Sequence, residues 1–78
     1  MKLLSLIQLK KGEKGSINKF EGGYRLVNKL NALGVRIGKQ VTVISDSFIG
    51  GPVTVQIGNT TLSIGRGMAA KIVVEVKQ

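Results

Sequence analysis

The chain has 78 residues, 42% of them hydrophobic, with twelve Lys and Arg against four Asp and Glu for a formal net charge of +8, and it contains neither Cys nor His. That length holds one domain, 1–78, with a compact core, because a chain this short buries only about 60% of the surface its unfolded form exposes, and the hydrophobic content excludes a disordered tail. Without Cys there is no disulfide framework and no thiolate metal site, and no apolar run approaches the roughly 20 residues that span a bilayer.

The opening "MKLLSLIQLKKGEKG" (Met1 to Gly15) starts with one lysine, Lys2, before a short apolar stretch in the manner of a secretion signal, but Gln8 interrupts it and no small-residue cleavage site follows. It reads as a first strand, and the chain as a cytoplasmic protein. "GSINKFEGG" (Gly15 to Gly23) is a short strand with glycine turns at both ends, although its alternation is poor. In "YRLVNKLNALG" the residues Leu26, Val27, Leu30 and Leu33 recur at helical spacing while Arg25, Asn28, Lys29 and Asn31 fall on the other side. That is one amphipathic helix, with Gly34 placed to end it in the left-handed conformation.

From "GKQVTVIS" onward the period changes to two, with Val41 and Val43 on one face. Val53, Val55 and Ile57 alternate with Thr54 and Gln56, Gly58-Asn59 turns the chain, and Leu62 and Ile64 return between Thr61 and Ser63, which predicts a β-hairpin. "GRGMAAK" suits a single helical turn around Met68 and Ala69, and "KIVVEVK" a last strand with Ile72, Val74 and Val76 on one face. About five short strands, one helix and eleven glycines predict a mainly β fold, a small closed or partly closed barrel. Its expected core is Val43, Val55, Ile57, Leu62, Ile64, Ile72 and Val74, with Leu30 and Leu33 from the helix.

"KKGEKGSI", the helix ending "KLNALGVRIGKQVTV" and the segment "GGPVTVQIGNTTLSIGRGMAAKIVV" together resemble the ferrous iron transport protein A family, FeoA, over nearly the whole chain. The matching signs are Leu30, Leu33, Gly34 and Gly38 before a strand, Gly50-Gly51-Pro52-Val53 before the next, and Gly67, Met68 and Ala69 before the last. The chain departs from the pattern at Ile37, where the family commonly has proline, and in the glycine-rich Arg66-Gly67 turn. Similar SH3-like domains occur in metal-dependent transcription repressors; the start of the domain almost at Met1 favours a stand-alone protein. The resemblance implies an SH3-like barrel that works beside the membrane GTPase-transporter FeoB in bacterial ferrous iron uptake, by binding and not by turnover.

The residues themselves offer little chemistry. With no His or Cys, the serines Ser5, Ser16, Ser45, Ser47 and Ser63 have no activating base, and Glu13, Glu21, Asp46 and Glu75 show no paired spacing. Glu13 and Glu21 come together only if the first strand folds back, so no cofactor and no dedicated metal site is expected. Arg66, between Gly65 and Gly67, is either an anion contact through its neighbouring backbone N–H groups or a barrel corner.

The exposed helix face carries more. Arg25, Lys29 and, after the cap, Arg36 are expected near one another beside Tyr24, a basic edge with an aromatic; the ordinary alternative is a solvated polar face. These four residues form the expected partner-binding surface, with the Phe48 to Pro52 loop next in line. The +8 charge suits an acidic protein face, and an anionic inner-leaflet lipid surface as a secondary contact. A nucleic-acid-binding barrel is the competing reading from charge alone, but three aromatics are few for a base-stacking platform, so no specific nucleic acid is expected. The protein is expected to be a monomer or a weak homo-oligomer.

Overall fold

The computed structural model describes residues 1–46 and 50–77. Ser47 and Phe48 lie outside them, so the expected Phe48 to Pro52 loop surface is described only from Gly50 onward. In chain order come strand β1 (Lys2–Ser5), a 3₁₀ turn (Leu6–Gln8), β2 (Lys14–Phe20), helix α1 (Tyr24–Ala32), β3 (Gln40–Asp46), β4 (Val53–Ile57), β5 (Thr60–Ile64), the one-turn helix α2 (Arg66–Ala69) and β6 (Ile72–Val76).

All six strands form one antiparallel sheet in the order β1-β6-β2-β3-β4-β5. This is one strand more than the expected five or so. The sheet curls without closing into a hydrogen-bonded ring, since β1 and β5 are its two outer strands. The opening segment is a strand only as far as Ser5. There the Gln8 side chain accepts the Ser5 N–H at 2.8 Å and turns the chain into the 3₁₀ segment, which buries Leu6 and is followed by buried Leu9. The Ser5 hydroxyl donates to the Ala70 carbonyl at 2.9 Å and ties this corner to the end of α2.

Two bulges explain where simple alternation fails. In β2 the register shifts between Ile17 and Lys19, so Ile17 is buried and Phe20, three residues on, again packs against the core. In β3 the shift falls between Val43 and Ser45, after the alternating stretch in which Val41 and Val43 are inside and Ile44 is exposed. An extra residue in one strand reverses the phase of every side chain after it. Gly15 has a stricter requirement: a Cβ there would lie 2.5 Å from the Glu75 carbonyl oxygen and 2.5 Å from Val74 Cγ1. β2 lies between β6 and β3, and only a residue without a side chain lets β6 approach so closely.

The end of α1 revises the expected core. Leu30 is fully buried, Leu26 and Val27 are partly so, but Leu33 is 43% exposed. The Val35 N–H donates to the Leu30 carbonyl at 2.9 Å and the Gly34 N–H to the Asn31 carbonyl at 3.0 Å, with Gly34 at φ +90°. This pair of bonds is a Schellman motif, in which the residue after the left-handed glycine folds back onto the last helical turn. Val35, fully buried, thereby takes the core position expected for Leu33. Leu62, expected inside, is only partly buried on the outer strand β5. Leu30, Val43, Val55, Ile57, Ile64, Ile72 and Val74 are buried as expected, joined by Leu6, Leu9, Ile17, Val41, Val53 and Ala69. Among the described residues no helix is long and apolar enough to cross a membrane.

Candidate partner-binding surface

Helix α1 and the turn after it present the basic edge. Tyr24 is its first residue and is 87% exposed. Arg25 and Lys29 are exposed one helical turn apart, at the i, i+4 spacing that places side chains on one face. Lys29 is also in the last turn of α1, where a cation is favoured by the helix dipole. Arg36, exposed, opens a turn closed by the Lys39 N–H on the Arg36 carbonyl at 3.2 Å. That turn is pinned to β2, since the Gly38 N–H donates to the Ile17 carbonyl at 2.8 Å and the Ile17 N–H to the Lys39 carbonyl at 2.9 Å. The turn that Arg36 opens is therefore attached to the sheet.

Arg25 and Lys29 thus share a face, with Arg36 beyond the helix C-terminus. Tyr24 stands at the opposite end, roughly 12 Å away at 1.5 Å per residue over α1, so it is not beside Arg36. It borders a shallow depression formed with Gly22, Gly23 and Val27. Two apolar residues not assigned to this surface from the sequence are exposed near the C-terminal end: Leu33 at 43% and Ile37 at 62%. The Schellman turn that brings Val35 inward leaves both outside, and that turn was legible in "LGV". Of the two described aromatics only Tyr24 is open, because Phe20 packs against the core.

The other candidates hold structural posts. Glu13 accepts the Lys10 N–H through Oε1 at 2.6 Å, in a turn also closed by the Glu13 N–H on the Lys10 carbonyl at 2.9 Å. Glu21 faces Lys19 Nζ at 3.5 Å, both half exposed. The two glutamates flank opposite ends of β2, roughly 25 Å apart at about 3.3 Å per strand residue, so the first strand does not fold them together. Among the described residues no three His, Cys, Asp or Glu side chains cluster to hold a metal ion. Arg66 Nε donates to the Gly51 carbonyl at 3.2 Å, which fastens α2 to the turn before β4. Ser63 shares a hydroxyl hydrogen bond with Thr54 at 3.1 Å across β4 and β5. A further open cleft of about 590 Å³ is bordered by Lys14, Ser16, Gln40, Glu75 and Lys77.

Comparison with known proteins gives a consistent result. The model of the FeoA domain family matches residues 4–76. A Methanocaldococcus jannaschii protein provisionally assigned as Fe(2+) transport protein A is 35% identical over 66 residues, covering 85% of this chain and 78% of its own. A crystal structure of an iron uptake regulatory protein (FeoA) superposes with a TM-score of 0.87 at 25% identity, covering 96% of this chain and 97% of that one. A manganese-dependent transcriptional repressor shares the fold at a TM-score of 0.88 and 17% identity; this chain spans only 42% of the repressor's length. The SH3-like architecture is therefore common to iron transport proteins and to one part of metal-dependent repressors.

Proposed function

The chain belongs to the FeoA family of ferrous iron transport proteins, and on that premise we propose that it is a cytoplasmic accessory protein that binds the membrane GTPase-transporter FeoB and modulates its cycle. The observation that carries the reading is the extent of the match: the family model spans 4–76, and the FeoA crystal structure and this chain cover each other almost end to end. The family's role is then to be sought on the surface of this one domain. Its contact surface is α1 with the turn after it, where Tyr24, Arg25, Lys29 and Arg36 are exposed.

The net charge of +8 favours an acidic partner face, and charges at the rim of an interface act mainly on the rate of encounter. Anionic lipid around the transporter adds affinity of the same sign. The test has two steps. The tagged protein isolated from its own cells should bring FeoB with it. The double variant Lys29→Glu with Arg36→Glu, checked to be folded, should associate more slowly and with a weaker dependence on salt. A folded double variant with unchanged rate, unchanged salt response and normal iron uptake would place the interface elsewhere.

A further inference from the structure

We propose that the outer edge of β5 is a self-association surface, along which two copies of this chain pair antiparallel about a two-fold axis at Leu62. The inference rests on residues apart from the helix surface and stands whether or not that surface binds FeoB.

The hairpin geometry shows which groups are open. β4 and β5 pair from Val53 opposite Ile64 to Ile57 opposite Thr60 with no bulge, around the two-residue loop Gly58-Asn59. In such a hairpin the residues flanking the loop form a hydrogen-bonded pair, and every second pair after it does the same. Ile57 with Thr60, Val55 with Leu62, and Val53 with Ile64 are therefore the bonded pairs. The N–H and C=O groups of Thr61 and Ser63 then point away from β4, and among the described residues no strand lies on that side.

An open edge invites pairing, and proteins usually blunt one with lysine, proline, a bulge or a very short strand. β1, the other outer strand, is blunted: it has four residues, one of them Lys2, and the Gln8 side chain takes up the Ser5 N–H at its end. β5 has none of these devices. Its five residues, "TTLSI", are uncharged, and the whole run from Ser47 to Gly65 has no charged residue in a chain of net charge +8.

That neutral run argues for a second copy of the chain. Two molecules of charge +8 repel, and a paired edge that keeps charged side chains away from the contact is where they can meet. The register also fits itself. With Leu62 opposite its counterpart, Thr61 lies opposite Ser63 of the other copy, and these are the two residues whose backbone groups are open. Leu62, left partly exposed at the sheet margin, is covered by its counterpart. The shared edge is short, far smaller than the interfaces of stable complexes, so the pairing is weak and reversible.

The test compares the full chain with two double variants at exposed positions: Thr61→Lys with Ser63→Lys, and Thr61→Lys with Ser63→Glu. Sedimentation and amide NMR spectra are followed from about 10 μM to about 1 mM. The parent should show concentration-dependent mass and shifts centred on Thr61, Leu62 and Ser63. The Lys/Lys variant, folded by its spectrum, should stay monomeric, because it sets like charges opposite one another. The Lys/Glu variant sets Lys opposite Glu and should associate at least as well as the parent. A parent that stays monomeric to about 1 mM, shifts that map to α1 or β1, or equal association by the two variants would overturn the proposal. So would an edge that answers only to an added extended peptide of alternating Thr and Val.

Discussion

Truncating one residue at each of three neighbouring positions tests how α1 is held on the sheet. Leu30 is fully buried and its carbonyl receives the Val35 N–H. Leu30→Ala should cost about 2–5 kcal/mol, the transfer of the lost methyl groups plus the cavity they leave. Val35→Ala removes two buried carbons, at about 0.8 kcal/mol each before any cavity cost, or about 2 kcal/mol in all. Leu33, 43% exposed, should cost less than about 1 kcal/mol when cut to Ala, since much of its surface is already in water. At roughly 0.05–0.15 kcal/mol per residue the whole domain has only about 4–12 kcal/mol to lose. With a urea slope of about 1 kcal/mol per molar for so small a protein, the midpoints should fall by several molar for Leu30→Ala, about 2 M for Val35→Ala and under about 1 M for Leu33→Ala. Equal losses at Leu33 and Leu30, or none at Val35, would refute the Schellman turn as the device that seats this helix.

Gly15→Ala should destabilise by about 1–3 kcal/mol or more, as other overpacked positions do, because its Cβ meets a backbone oxygen that no rotamer change can move; faster amide exchange in β2 and β6 is the specific readout, and exchange unchanged there would refute the close approach. Ferrous iron titrated without oxygen should saturate no site, since Glu13 is engaged by the Lys10 N–H and Glu21 faces Lys19 a strand length away. A stoichiometric site of micromolar affinity would overturn this.

What could be read in the sequence was what local rules decide. The β4–β5 hairpin follows from period-two valines around Gly58-Asn59, and α1 from apolar residues at helical spacing before Gly34. The two bulges are different, because Asn18 and Ile44 carry no mark of their own; a bulge appears only when the facing strand is known. β1 was legible as a strand, but its place beside β6, at the far end of the chain, is a long-range pairing that no local period encodes. The helix period also carried Leu33 inward, one residue beyond where the chain had already turned. That error hid part of the candidate surface, since Leu33 and Ile37 are exposed near the C-terminal end of α1, the end that carries Lys29 and leads to Arg36.

Salt should act with opposite sign on the two proposed associations, which separates them in one experiment. Binding of a +8 domain to an acidic partner is attractive at long range and must weaken as salt is added. Pairing through β5 brings two +8 bodies, each about 28 Å across, to a centre separation of roughly 25 Å. In unscreened water their repulsion is about 10 kcal/mol by Coulomb's law. With a Debye length of about 8 Å at 0.15 M salt it falls to the order of 1 kcal/mol, and at 1 M, where that length is about 3 Å, it nearly vanishes. Self-association measured by sedimentation should therefore strengthen several-fold between about 0.05 M and 0.5 M sodium chloride, while FeoB association declines over the same range. Self-association that weakens with salt would mean that opposite charges meet across the contact between copies, which the neutral edge of β5 does not supply.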